Sequence, residues 1–347
     1  MKKYFIMAVA VLATLTACQP DEPQTTIVET REICFAPAAT ETRAAAVATE
    51  VGNVETLKLK GFAVFGFQGV DPIFNNTLVT HADYNTTLTG LGLTETDNAW
   101  APAVAENVRY WAVADYKFSG VYPATDNGYS MDKDGNQTIT NFVNDGTKDL
   151  LVSNVKSVNN TALQKSQVAL RFDHMLSRVK FTFTNKFTGN EKMEISGVKI
   201  NGVAKDGSAT IETGDGTVDT KTAPTWTAGS EDIILEFGEM SSQTLENRFA
   251  KEEKDVTVYK YIIPENSTAY TIDFNVVVYS EGVQVAAKQY TGVRIKKETY
   301  NFEPGKSYTF NANIAADDAG NIYPIEFTVD VSAWEEVNGG DIDLSGN

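Results

Sequence analysis

After residue 50, apolar and polar positions alternate with a period of two far more often than with the period of a helix. In "RVKFTFTN" (178–185), Val179, Phe181 and Phe183 fall on one face and Lys180, Thr182 and Thr184 on the other, the pattern of a half-buried strand. "LKLKGFAVFGF" (57–67) alternates and then becomes continuously apolar, as a strand buried on both faces does. "NVRYWAVADYKFSGVYP" (107–123), "DLLVSNVKSV" (149–158) and "QVALRF" (167–172) predict further strands.

The later half repeats the theme. "DIILEFGEM" (232–240), "VTVYKYIIP" (256–264), "YTIDFNVVVYS" (270–280), "VQVAAKQYTGVRI" (283–295), "SYTFNANI" (307–314) and "PIEFTVDVSAW" (324–334) all predict strands. Asn-Gly in "INGV" (200–203), between β-branched flanks, predicts a hairpin, and "KDGSATIETGDGTVDT" (205–220) a hairpin and loop. Helix is sparse: "TALQKSQ" (161–167) reads as a turn, "DHMLSRV" (173–179) as one short helix or the start of a strand. Short strands at fairly even spacing indicate an all-β chain built of antiparallel sandwiches. Its 347 residues are enough for two domains. The polar stretch "TNKFTGN" (184–190) marks the expected division, giving bodies at 44–186 and 187–347.

The first residues differ in kind. Lys2 and Lys3 precede a short apolar run over 4–16, which ends in Leu15-Thr16-Ala17-Cys18. A basic start, a short apolar stretch and small residues before a cysteine resemble a bacterial lipoprotein signal, with 1–17 removed and lipid placed on Cys18. The acidic "QPDEP" behind it resembles a surface-export signal of Bacteroidales lipoproteins. Cys34 is the second of two cysteines; with Cys18 lipidated it has no disulfide partner. Net charge is −17, and loss of Lys2 and Lys3 leaves −19. Such a body repels phosphate backbones and anionic headgroups, which excludes nucleic acid as an expected partner.

Chemistry is hard to place on this sequence. Two histidines, His81 and His174, stand far apart without metal-ligand spacing, and no nucleophile elbow, zinc helix, phosphate loop or dinucleotide fingerprint occurs. "DKDGN" (132–136) imitates the start of a calcium loop but reads as a tight Asp-Gly turn. No pair of carboxylates is marked out for glycoside hydrolysis; Asp330, Glu335 and Glu336 read as the wet face and end of a strand. Trp100, Trp111, Trp226 and Trp334 could stack on sugars but read more simply as sheet aromatics. No catalytic residue, metal site or cofactor is expected.

Five stretches and their order, together with the lipobox, resemble the fimbrillin family of Bacteroidales, subunits of the type V pilus. They are "EICFAPAATETRA" (32–44), "RYWAVADYKFSGVYP" (109–123), "DLLVSNVKSVNN" (149–160), "VALRFDHMLSRVKFTF" (168–183) and "IEFTVDVSAWEEVNGGDIDL" (325–344). The resemblance implies two transthyretin-like antiparallel β-sandwich domains in tandem. It implies export as a lipoprotein to the outer membrane and cleavage there by an arginine-specific protease, removing a leader (18–43) with its first strand. It further implies that a strand from a neighbouring fimbrial subunit, usually C-terminal, fills the groove left behind, in a fimbria with a role in adhesion.

Position assigns the cut to the Arg43–Ala44 bond, in the small-residue stretch "AATETRAAAVA" (38–48), with Arg31 as competitor inside the leader strand itself. In that strand Ile27, Ile33 and Phe35 share a side with Glu29 and Arg31, so only its second half, with Ile33 and Phe35, is convincingly apolar. Donor candidates lie at the other end. Ile325, Phe327, Val329 and Val331 form one apolar face; past Gly339-Gly340, Ile342 and Leu344 alternate with Asp341 and Asp343. The alternative reading is a monomeric surface lipoprotein that binds glycans, and a surface glycosidase ranks last.

Overall fold

The computed structural model describes residues 32–38, 57, 60–81, 100–161, 167–187, 189–212, 223–237, 243–245, 254–255, 259–267, 270–295, 300–315 and 327–333. The first strands are β1 (Phe35–Ala38), β2 (Phe62–Gln68), β3 (Asp71–His81), β4 (Trp100–Pro102), β5 (Ala114–Tyr122) and β6 (Tyr129–Met131). Next come β7 (Gln137–Val143), β8 (Leu151–Ser153), β9 (Lys156–Asn160), β10 (Val168–His174), β11 (Ser177–Asn185) and β12 (Lys192–Ala204). The later strands are β13 (Asp206–Glu212), β14 (Ala223–Ala228), β15 (Asp232–Glu236), β16 (Gln243–Leu245), β17 (Lys254–Asp255) and β18 (Lys260–Ile262). The series closes with β19 (Asn266–Ser267), β20 (Thr271–Ser280), β21 (Val283–Arg294), β22 (Tyr300–Asn301), β23 (Lys306–Ile314) and β24 (Phe327–Ala333). The chain is all-β, as its alternation predicts.

Strands β2-β3-β4-β1-β10-β8-β5 pair in that order, and β5 pairs back onto β2. The pairing therefore closes into a ring, with β9 alongside β5. Closure removes open edges. It also explains the continuous apolar run in β2, because both faces of the ring are covered. Phe62 and Val64 belong to one buried cluster with Ile33, Phe35, Phe118 and Leu170. Ala63 and Phe65 belong to another, with Val121, Ile139 and Ile211. The second cluster lies between the ring and a four-stranded sheet, β14-β13-β7-β6. Since β7 pairs with β13, hydrogen bonding crosses residues 186/187, the division expected from sequence.

Two further sheets, β15-β12-β20-β21 and β17-β11-β23-β24, enclose a third core. Val179, Phe181 and Phe183 of β11 are wholly buried in it, on the face their spacing assigns. Thr182, expected on the wet face, is also buried; its hydroxyl donates to Asn311 on the parallel neighbour β23. Residues 173–179 hold the end of β10 and the start of β11 rather than a helix. The Asn-Gly hairpin expected at 200–203 does not form. Instead β12 runs unbroken through it, and its register with β15 shifts between Ile200 and Val203. Gly202 has φ +79°, so the dipeptide absorbs a bulge, which needs the same left-handed glycine as a turn.

Candidate functional site: the groove of the first strand

β1 is four residues long and separated from β2 by more than twenty residues of sequence. It runs parallel to β10, with Phe35 opposite Val168 and Ala38 opposite Arg171. On its other side Phe35 pairs antiparallel with Trp100 of β4. Two backbone bonds bracket the buried residues: Ile33 N–H donates to the Arg109 carbonyl (2.8 Å), and Val168 N–H donates to the Cys34 carbonyl (2.8 Å). Upstream, Glu32 bridges Tyr110. Pro37 has no N–H to give the ladder, so the hold on this strand leans on side chains.

Those side chains are Ile33 and Phe35, exposed by 1% and 0%. The Phe35 ring meets Phe74 edge-on at 5.6 Å and Phe118 at 5.8 Å. Phe118 is in turn stacked on Tyr116 at 5.7 Å, and Trp111 closes on both. Such edge-to-face contacts add to the gain from burial. Burying Ile33 and Phe35 together is worth about 3–6 kcal/mol at the usual value per large apolar side chain. Gly66 makes room for this cluster: a Cβ there would come within 2.9 Å of both Phe118 and Phe74. Cys34 points away from Ile33 and Phe35 by strand alternation. Burial, and then the charge of Glu32, push its thiol up to about 12, so it stays protonated and unreactive while the strand is seated.

The rim of the groove is firm. Residues 103–113 join β4 to β5, and Trp111, 2% exposed, pins this loop to the core. Ala112 N–H donates to the Tyr116 hydroxyl (2.8 Å), while the Asn160 amide donates to the Ala112 carbonyl (2.5 Å). The Arg109 guanidinium donates to the Glu106 and Val108 carbonyls (2.9 and 3.0 Å).

Residues 42–334 match the model of fimbrillin-like proteins. The chain belongs to the fimbrillin-like family. Among solved structures, a fimbrial protein from Bacteroides vulgatus ATCC 8482 is similar in fold, at 16% identity and a TM-score of 0.53, covering 85% of this chain and 99% of that one. A candidate cell adhesion protein from Bacteroides uniformis ATCC 8492 matches at 15% identity and a TM-score of 0.44, covering 88% of this chain and 98% of that one. No curated protein matches.

Of the residues singled out in this fimbrillin-like sequence, Ile33 and Phe35 come together in one groove. Phe327, Val329 and Val331 lie elsewhere, in β24, which pairs with β23 along seven residues. Cys18, Arg43, Ala44, Ile325, Ile342 and Leu344 lie outside the described residues. Trp100 and Trp111 are the sheet aromatics that sequence reasoning made them, but it tied neither of them, nor Phe74 and Phe118, to the groove. The density of aromatics over 107–123 was the available signal, but β3 was not visible as a strand in "DPIFNNTLVTH" (71–81).

The other candidates dissolve into structure. Trp100 and Trp111 are buried at 0% and 2% and offer no sugar platform; Trp226 is partly buried and donates its indole N–H to the Met175 carbonyl (2.8 Å). Trp334 lies outside the described residues. His174 faces the buried Asp149 carboxylate at 2.7 Å. In the "DKDGN" loop the Asp132 carboxylate already accepts N–H groups of Asp134 and Asn136 (both 2.9 Å), so it closes a turn. Among the described residues, no three His, Cys, Asp or Glu side chains gather as a metal site, and no helix is long and apolar enough to cross a membrane.

Proposed function

We propose that the chain is a structural subunit of a cell-surface fimbria, assembled by exchange of its first strand for a strand of a neighbouring subunit. Membership of the fimbrillin-like family supports the fimbrial role. One observation carries the exchange: β1 completes a closed ring, yet among the described residues its segment is held by a short ladder and the buried side chains of Ile33, Cys34 and Phe35. β1 ends at Ala38, upstream of Arg43. A cut after Arg43 therefore severs it from all the other strands.

Once severed, β1 can leave, opening the ring between β4 and β10 and emptying the pockets of Ile33 and Phe35. An unpaired edge beside apolar pockets invites an incoming strand. Export as a lipoprotein on Cys18, maturation by an arginine-specific protease at the outer membrane, and donation of the C-terminal tail by another fimbrial subunit complete the proposal. The reading as a monomeric glycan binder loses support from the burial of Trp100 and Trp111.

The test is maturation of the purified precursor with an arginine-specific protease. We expect a new N-terminus at Ala44 and a ladder of polymers on a gel run without boiling. Protein recovered from cells with its leader intact, and a protease-treated chain that stays monomeric, would sink the proposal.

A further inference from the structure

The described residues expose nine large apolar side chains, and four of them, Val70, Val104, Tyr110 and Val113, lie in the two connections, β2 to β3 and β4 to β5, that share one end of the ring. Val104, Tyr110 and Val113 all lie in the loop from β4 to β5. Val70 is in the turn from β2 to β3, whose Gly69 N–H donates to the Asp115 carbonyl just past that loop (2.8 Å). Their exposures are 68%, 48%, 49% and 69% in sequence order. The same end is where the first strand begins, because Glu32 bridges Tyr110 and Ile33 bonds Arg109. The pinning of this loop by Trp111, Tyr116 and Asn160 makes the apolar platform rigid before anything binds it. Rigid, preorganised surfaces lose little entropy on docking.

Strand direction says what covers it. The seated strand is parallel to β10 and antiparallel to β4, so a replacement that repeats both pairings runs the same way. Its own upstream residues then emerge at the end carrying Val70, Val104, Tyr110 and Val113. For a C-terminal tail, upstream means the body it belongs to. If Ile342 takes the place of Ile33, residues 334–341 are the only tether, and eight extended residues span at most about 26–29 Å. The donor's β24 leaves its sheet at Ala333, so its body is held close to the groove's mouth.

We infer that the groove mouth formed by Val70, Val104, Tyr110 and Val113 is a docking surface for the body of a second copy of this chain. This rests on the strand-exchange reading and adds a second contact to it, separate from the groove.

The test uses the full precursor carrying Val70→Glu and Val113→Glu, matured with the arginine-specific protease. Two quantities are read: uptake of a synthetic peptide of residues 334–347 by the opened groove, and growth of polymer. We expect peptide uptake equal to that of the unsubstituted protein and polymer growth slowed by about tenfold or more. Polymer growth at the unsubstituted rate overturns the inference, as does loss of peptide uptake, which would place the effect in the groove. If the unsubstituted chain neither takes peptide nor polymerises, strand exchange itself fails and the docking surface falls with it. Should melting curves show that the Glu pair misfolds, Val70→Ser with Val113→Ser is read by the same criteria. A photo-crosslinker at position 113 should join two copies in the polymer; its failure to do so counts against the inference.

Discussion

Phe35 and Cys34 are neighbours in sequence that report on opposite sides of the same strand. Phe35 is fully buried between Phe74 and Phe118. Truncating it leaves a cavity that rigid aromatic neighbours fill poorly. Phe35→Ala should therefore cost about 3–5 kcal/mol in urea unfolding of the precursor, whereas Val283→Ala, at an exposed position, should stay within about 0.5 kcal/mol. Equal effects would show that the first strand contributes little to the fold. Cys34 supplies a chemical readout. Its folded-state value of about 12 stands above the ordinary 9.0 because of burial first and Glu32 second. The folded state thus favours the neutral thiol. That stabilisation is complete below about pH 9 and is lost as pH rises toward 12. With Cys18 replaced by Ser, maleimide at pH 8 should leave Cys34 unlabelled in the precursor and label it once the strand is released. Fast labelling before cleavage would show the strand unseated.

At the scale of elements, two glycines decide whether a strand can do its work. Gly66 of β2 sits under the Phe74 and Phe118 rings that hold Phe35. Gly66→Ala should destabilise the precursor by about 1–3 kcal/mol through overpacking, and hydrogen exchange at Val168, whose N–H bonds Cys34, should rise with it. Unchanged protection there would separate this cluster from the strand's hold. Gly202 carries the bulge in β12 at φ +79°. An alanine there pays about 1–2 kcal/mol for the left-handed conformation, seen as a lowered midpoint of thermal unfolding, with no effect expected on release of the first strand.

For the whole molecule the decisive feature is the ring. Every ring strand except β1 lies downstream of Arg43 in sequence, so under the proposed cleavage a single peptide bond separates a closed ring from an open one. Arg43→Ala should keep the protease-treated precursor monomeric, with β1 retained on mass spectrometry. Polymer formed by that variant after a cut at Arg31 would move the processing site into the leader strand.

The alternation of apolar and polar residues was enough to determine an all-β chain, most of its strands, and the buried face of β11. Local preference acts over a few residues, and strand alternation is written at that range. The same holds for Ile33 and Phe35, whose spacing marked one apolar face. Tertiary structure alone decided what those faces meet. "DPIFNNTLVTH" became β3 because β2 and β4 flank it, not because its own pattern demanded it. "INGV" became a bulge because β20 and β15 pair on both sides of β12, overriding a dipeptide that by itself favours a hairpin. Pairing of β7 with β13 across residue 186, and insertion of β1 between β4 and β10, join segments far apart in the chain. Such contacts depend on the sum of many burial energies over the whole body, which no short stretch of sequence contains.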